Sequence, residues 1–486
     1  MKINATNIKK GFRYLKHYGL KEFMIRLEEK QEQEAVPYDE WFQKMKATEQ
    51  ELQQQKKESR KWKNAPKISV VVPLYQTPEK FLREMIVSVQ ASSYENWELC
   101  LADGTPDFSL ITVVEEYQKK DCALTGKEKS RIVYKKLEQN EGIAGNTNQA
   151  IAMADGDYVA FLDHDDVITP DALYEMAEKI VAVQGEENIP DMLYSDEDKC
   201  NSDGTLFYEV NRKPEFNLDL ILSNNYICHL FAVRRDLLKK VGLLNPAYDG
   251  AQDYDFVLRC AEQAKAIGHI PKVLYHWRTH PASTAGNPES KEYAFNAGRR
   301  AVEAHYQRCQ IAARTEETAM RGRYRSRFTV HGMPLVSILI PNKDHVEDLR
   351  RCLASIREKS TYVNYEILVI ENNSVEAETE AYYQRLLREH PDGRLRILRY
   401  PGSFNYAAIH NFAVPQADGE YLILLNNDTE VRSEGWIEEL LGLCQQDSVG
   451  AVGAKLYYPD GTIQHAGVVL GLCGVASHLF IGADGE

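Results

Sequence analysis

The chain repeats itself, and that constrains its fold more than anything else in the sequence. Lys67 Ile68 Ser69 Val70 Val71 Val72 Pro73 returns as Leu335 Val336 Ser337 Ile338 Leu339 Ile340 Pro341, and Asn96 Trp97 Glu98 Leu99 returns as Asn364 Tyr365 Glu366 Ile367. Gly156 Asp157 Tyr158 Val159 Ala160 Phe161 Leu162 Asp163 is echoed by Gly419 Glu420 Tyr421 Leu422 Ile423 Leu424 Leu425 Asn426. Two copies of one domain are expected. Within each, short apolar runs alternate with helical patterns such as Phe81 to Val89 and Leu349 to Ile356. Each copy therefore reads as an α/β unit on a mainly parallel sheet, whose ligands sit beyond the carboxyl ends of the strands.

The polar signals fall at those ends. Tyr75 follows the first apolar run, Asp103 the second, and Tyr158 to Leu162 ends in Asp163 His164 Asp165 Asp166. Crowded carboxylates raise one another's pKa values and are best relieved by a divalent ion. Oxygen ligands of this kind suit magnesium or manganese shared with substrate phosphates. The alternative is a solvated acidic turn in which Asp166 caps a helix starting near Pro170. No GxGxxG follows the first strand and no P-loop occurs, which weakens dehydrogenase and NTPase readings.

Composition narrows the setting. At 486 residues several full cores fit, and a net charge of -14 without a basic, aromatic-interleaved stripe argues against nucleic-acid binding. Nine scattered cysteines with no CxxC pair, and no early signal peptide, fit a cytoplasmic protein. Residues 463 to 483 carry no Asp, Glu, Lys or Arg, yet their histidines and glycines read as strands and turns, not as a membrane span. Residues 1 to 21 combine Lys2, Lys9, Lys10, Arg13, Lys16 and Lys21 with Ile8, Phe12 and Leu15. Such a basic amphipathic helix suits peripheral contact with an anionic membrane face. The alternative is packing on the next domain, because Leu20, Phe23, Met24 and Leu27 continue the stripe. Residues 28 to 65 read as a helical arm, with Thr48 and Glu51 forming a capping box.

Taken together, Val70 to Tyr75, Leu99 to Gly104, Asn148 and Leu162 to Asp165 resemble a family 2 glycosyltransferase with the GT-A fold. The likeness covers residues 66 to 310 and begins again from 334. It implies donor-binding roles for Pro73, Tyr75, Asp103, Asn148 and Asp163, with Asp103 accepting from a pyrimidine imide. It implies that Asp163 contacts the ribose or a metal-bound water and that Asp165 ligates an Mn2+ or Mg2+ ion bridging the diphosphate. Gly250 to Arg259 resembles the family's Glu-Asp segment at a helix N-terminus, with Gln252 in place of the usual glutamate. Asp253 is then the catalytic base, since a sugar hydroxyl needs a carboxylate to take its proton. His269 to His280 matches the closing segment, where the resemblance implies a histidine that completes the metal shell or touches the diphosphate. His280 is favoured over His276, since Arg278 and His280 share one side of an extended segment and both face the phosphates. Tyr194 to Lys199 is a second acidic cluster, placed either against acceptor hydroxyls or in a solvated loop.

The second copy is poorer. Asn426 Asn427 Asp428 stands where the first has its three acids, Glu371 matches Asp103, and Pro341 matches Pro73. No segment matching Gln252 Asp253 follows. The expected organisation is a helical extension (1 to 65), a GT-A domain (66 to 310), a linker (311 to 333) and the donor-binding half of a second GT-A domain (334 to 486). The expected activity is metal-dependent, inverting transfer from a UDP- or dTDP-linked sugar to a glycan or lipid-linked acceptor, as in tandem enzymes of O-antigen, capsule or rhamnan synthesis. A noncatalytic sugar-nucleotide scaffold, above all for the second copy, and a nucleotidyltransferase are the alternatives. The last would need a Gly-rich basic loop where Leu74 to Pro78 stands.

Overall fold

A computed structural model describes residues 37–183, 185, 188–280, 292–471 and 475–485. They fall into two compact units that part between Ser326 and Arg327. The expectation of a basic helix at residues 1 to 21 lies outside the described residues.

The first unit opens with helices α1 (Tyr38–Met45) and α2 (Glu49–Ser59). The expected capping box starts α2: Glu51 N donates to Thr48 Oγ1 at 3.3 Å and Thr48 N to Glu51 Oε2 at 2.7 Å. The chain then alternates through β1 (Ile68–Leu74), α3 (Glu79–Gln90), β2 (Trp97–Asp103), α4 (Ile111–Thr125), β3 (Ile132–Lys136), α5 (Gly142–Met153) and β4 (Tyr158–Phe161). After it come β5 (Val167–Ile168), α6 (Ala172–Val181), β6 (Met192–Cys200), β7 (Phe207–Asn211), α7 (Leu218–Ser223), β8 (Phe231–Arg234), α8 (Arg235–Val241), α9 (Gln252–Gln263), β9 (Ile267–Arg278) and α10 (Glu292–Arg308).

The sheet runs β3-β2-β1-β4-β8-β6-β9-β5, with β7 on β6. Strands β3, β2, β1 and β4 are parallel, and β8 enters antiparallel between β4 and β6. Helices cover such a sheet on both faces, which is why Val70, Val71 and Val72 are all buried and the strand shows no alternation. In α3, Phe81, Leu82, Met85, Ile86 and Val89 form the apolar stripe that meets it. The expected linker is largely not one. β10 (Ala313–Glu317) and β11 (Tyr324–Phe328) pair as a hairpin tied to α10, where Tyr306 OH donates to Ser326 Oγ at 2.6 Å and Tyr324 OH to Phe295 O at 2.8 Å.

The second unit contains β12 (Val336–Asn342), α11 (Val346–Lys359), β13 (Tyr365–Glu371), α12 (Ala377–Glu389), β14 (Leu395–Arg399), α13 (Tyr406–Ala413), β15 (Tyr421–Leu424) and α14 (Trp436–Cys444). Its parallel sheet runs β14-β13-β12-β15. Two small hairpins follow, β16 (Leu456–Tyr457) with β17 (Ile463–His465) and β18 (Val468–Leu470) with β19 (Ala476–His478).

The repeat is structural to the level of single hydrogen bonds. Ile68 pairs with Trp97 and Tyr158 as Val336 pairs with Tyr365 and Tyr421. Buried Ser69 donates to Glu98 at 2.5 Å and accepts from Gly156 N at 2.8 Å; Ser337 does the same with Glu366 (2.6 Å) and Gly419 N (2.9 Å). These are the recurring Ser, Glu and Gly of the motifs. A Cβ on Gly156 would lie 2.6 Å from Ser69 Oγ, and on Gly419 2.5 Å from Ser337 Oγ, so the clasp excludes any side chain there.

Candidate active site

The carboxyl ends of β1, β2 and β4, the amino end of antiparallel β8, the start of α9 and the end of β9 bring the functional side chains to one edge of the sheet. Pro73 lies near the end of β1, and Tyr75 follows it with 41% of its surface exposed, an aromatic face open to a base. Asp103 ends β2 but is fully covered. It accepts from Thr105 N at 2.8 Å, Tyr134 OH at 2.7 Å and Lys136 Nζ at 3.4 Å. With both oxygens engaged by these partners, it does not present the free acceptor expected of it. Asn148 also differs from expectation. Its amide closes on the Leu244 backbone at both ends (2.9 and 3.0 Å), clamping α5 to the loop after α8.

The turn after β4 carries the acids. Asp163 projects with 40% of its side chain exposed, while Asp165 Oδ2 meets His280 Nε2 at 2.8 Å. His276 lies elsewhere, buried with its Nδ1 2.5 Å from Asp198 Oδ1. Asp166 is fully buried and accepts from Arg278 N at 2.7 Å and from Tyr275 OH. Burial, then the charges of Asp165 and Asp163, hold the Asp166 carboxyl well above the usual carboxylate range. It is not a helix cap, because α6 starts six residues later at Ala172 behind Asp171; it pins β9 to the turn.

Arg278 does not face phosphates. Its side chain is 1% exposed, with Nε donating to Asp165 O at 2.6 Å, Nη1 to Ser202 O at 2.8 Å and Nη2 2.8 Å from Glu84. The guanidinium lies over the Phe81 ring at 4.8 Å. Arg278 and His280 share the end of one segment, yet the first is turned inward to hold the Asp165 backbone.

Asp253 stands in the first turn of α9, partly buried, accepting from Asn225 Nδ2 at 2.7 Å. Burial raises its pKa from the ordinary carboxylate value, the Asp163 charge adds to the rise, and His229 and backbone N–H groups oppose it. Gln252 turns back to accept from Gly250 N at 2.8 Å. His229, not anticipated from the sequence, lies between the acids. Its Nε2 is 4.0 Å from Asp163 Oδ2, its ring stacks on Tyr275 at 4.6 Å, and its N–H donates to Glu197 Oε2 at 3.0 Å. The signal was a polar pair, Cys228 His229, before an apolar strand; it points at the site only if that strand is antiparallel.

The acids of Tyr194 to Lys199 form neither a solvated loop nor an acceptor surface. They lie on β6, almost fully buried, and each is paired: Asp196 with His269 at 2.8 Å, Glu197 with Lys213 Nζ at 3.3 Å, and Asp198 with His276 and with Tyr38 OH at 2.8 Å.

The oxygen-rich turn suits a divalent cation: Asp165 Oδ2 meets His280 Nε2 at 2.8 Å, while the acid and imidazole atoms that lie within 4.8 Å of one another are those of Asp163, Asp166 and His229, so the expected ligands Asp163, Asp165 and His280 are not gathered into one such cluster.

In the second unit Pro341 occupies β12 like Pro73. Glu371 is 5% exposed and consumed by Ser374 N (2.5 Å), Ser374 Oγ (2.6 Å) and Tyr383 OH (2.7 Å). Asp428 is exposed, and among the described residues it joins no cluster of His, Cys, Asp or Glu able to hold an ion. The described residues of this unit include no counterpart of α9 or β9. No helix among the described residues is long and apolar enough to cross a membrane.

A mixed α/β sheet with an acidic turn and a second carboxylate at its carboxyl edge defines the GT-A class of transferase. The family profile "Glycosyl transferase family 2" matches residues 69–242 and 337–469, and the chain belongs to that family. It is 43% identical over 438 residues (88% of this chain) to the uncharacterized protein y4gI of Sinorhizobium fredii, and 38% identical over 419 residues (85%) to the O-antigen biosynthesis protein RfbC of Myxococcus xanthus. It spans 46% and 31% of those relatives' own lengths. The crystal structure of S. aureus TarS 1-349 in complex with UDP-GlcNAc superposes with a TM-score of 0.39 at 21% identity, over 49% of this chain and 66% of that one.

Proposed function

We propose that the first unit of this glycosyltransferase moves a sugar from a UDP- or dTDP-linked donor to a hydroxyl of a growing cell-surface glycan or lipid-linked acceptor, with inversion. The observation that carries this reading is the convergence of Asp163, Asp165 and His280 with Asp253 at one sheet edge, from segments far apart in the chain. Pro73 and Tyr75 border the place for the nucleoside base. Asp253 takes the proton of the attacking hydroxyl; its raised pKa makes it a stronger base than an ordinary aspartate once ionised. Asn225 orients that carboxylate by donating to Oδ2 at 2.7 Å. An Mn2+ or Mg2+ ion held by Asp163, Asp165 and His280 would supply Lewis-acid neutralisation of the departing diphosphate. Attack from the side of Asp253, opposite the diphosphate, inverts the anomeric centre.

The similarity to an O-antigen biosynthesis protein favours polysaccharide assembly. The second unit, with one exposed acid at its turn, is read as a noncatalytic nucleotide-binding or docking module. The test is turnover of a donor panel by the purified chain with Mn2+ and with a chelator. Donor-dependent glycosylation that requires metal and is lost in Asp253→Asn and Asp165→Ala is expected; metal-independent turnover, or turnover untouched by either substitution, refutes the mechanism.

A further inference from the structure

The segment Asn225 to His229 is held by more machinery than a surface loop needs. Lys213, whose side chain is 0% exposed, donates to Ile227 O at 2.6 Å and to His229 O, and pairs with Glu197 at 3.3 Å. Glu197 in turn accepts from His229 N. At the other end Asn225 bridges Cys228 N (3.3 Å) and Asp253 Oδ2 (2.7 Å). A buried lysine is a costly way to stabilise a fold, and its output here is the position of two carbonyls that flank one imidazole. That imidazole is fixed as well: Tyr275 stacks on its face at 4.6 Å and 12°, and Trp277 meets it edge-on at 5.7 Å. Its Nε2 faces Asp163 across 4.0 Å, beyond hydrogen-bond reach.

In a displacement at the anomeric carbon the base and the departing diphosphate lie on opposite sides of the sugar, so the ring being transferred occupies the space between them. His229 is the side chain that borders Asp163 at one end of that space, and through Asn225 its loop is tied to Asp253 at the other. We infer that His229 forms the wall of the transferred-sugar subsite and selects among donors by hydrogen bonding a sugar hydroxyl through Nε2. This rests on the donor-site reading above and adds to it the residue that distinguishes one sugar from another. A polar group placed to bond a substrate hydroxyl discriminates strongly against donors that lack it or carry it in the other configuration.

The experiment is calorimetric titration, in Mn2+, of the wild type, His229→Ala and His229→Gln with UDP, dTDP and panels of their hexose and deoxyhexose conjugates, each variant first checked by circular dichroism and melting. The wild type is expected to bind its preferred sugar nucleotide more tightly than the bare nucleotide. His229→Ala is expected to lose about tenfold in the affinity the sugar adds beyond bare nucleotide measured on the same variant, and no longer to rank the sugars. His229→Gln, which restores a donor, should recover part of both. Full retention of the sugar increment and ranking in His229→Ala overturns the inference. So does equal loss for bare nucleotide and sugar nucleotide, which would make His229 a diphosphate-side group, and so does a wild type to which the sugar adds no affinity. A wild type that binds no nucleotide at all refutes the glycosyltransferase mechanism itself, so the two failures are distinguishable.

Discussion

Replacing Arg278 by Met separates two roles for this residue that differ in kind. If the guanidinium bound donor phosphates, its removal would cost affinity and leave the fold alone. The structure gives it another job: it saturates the carbonyls of Asp165 and Ser202 from a site 1% exposed and pairs with Glu84. Methionine fills similar volume but leaves two part-buried carbonyls without donors, at about 1–3 kcal/mol each. The Glu84 pair adds little, since that carboxylate is 34% exposed and screened by water. A loss of about 3 kcal/mol is expected, with Arg278→Lys, which keeps the charge but not the fork, near half of it. Urea titration followed by tryptophan fluorescence reads this directly, because Trp41, Trp62, Trp97 and Trp277 lie in the first unit and only Trp436 in the second. Metal affinity should weaken in parallel, because the Asp165 backbone is released. An unchanged unfolding midpoint with a tenfold or greater loss of nucleotide affinity would refute the reasoning and restore the phosphate role.

Asp253→Asn is expected to lower kcat by about 10²–10⁴ while leaving donor affinity within a few fold. A carboxyl with a raised folded pKa binds its proton more tightly in the folded state, so ionising it costs folding free energy, and the cost grows as pH rises from the ordinary carboxylate value through the folded one. Asp253→Asn should therefore melt higher than wild type at neutral pH and show no advantage at acid pH; equal melting at both refutes a raised pKa. The rate of the wild type should climb with pH through the same raised value and plateau above it, a limb absent from a base of ordinary pKa. Gly156→Ala and Gly419→Ala should each destabilise their own unit by about 1–3 kcal/mol, since the new Cβ meets backbone atoms as well as the serine (Lys67 O at 2.7 Å, Ser337 N at 2.6 Å). Only Gly156→Ala should reduce transfer, and equal loss of activity in both would place catalysis partly in the second unit.

What the sequence disclosed follows from where the partners of each residue lie. Parallel strands buried on both faces read as unbroken apolar runs, so β1, β2, β12 and β13 were visible, and the turn at Asp163 to Asp166 could be placed beyond such a run. The acids of β6 were misread because what neutralises them is distant in the chain: His269 is 73 residues from Asp196, and His276 is 78 from Asp198. Three consecutive carboxylates look solvated until those partners are folded against them. Arg278 was misjudged for a related reason, since alternation along a strand says which residues share a face but not whether that face is covered. His229 was missed because β8 runs antiparallel, which brings its amino end to the edge where the parallel strands present their carboxyl ends.

The two copies show which part of the domain its fold requires and which part its chemistry requires. The Ser, Glu and Gly clasp recurs with hydrogen bonds matched to within about 0.1 Å, although it touches no ligand-bearing edge. At the opposite end of the same strands, Asp163, Asp165 and Asp166 are matched by Asn426, an exposed Asp428 and Thr429. Asn427, at the place of His164, donates to Asn342 at 2.7 Å. The sheet edge follows the same division: Val159 on β4 is fully buried beside β8, whereas Leu422, its match on edge strand β15, is 41% exposed. The second unit thus keeps what holds its parallel strands together while its turn carries one acid where the first unit carries three.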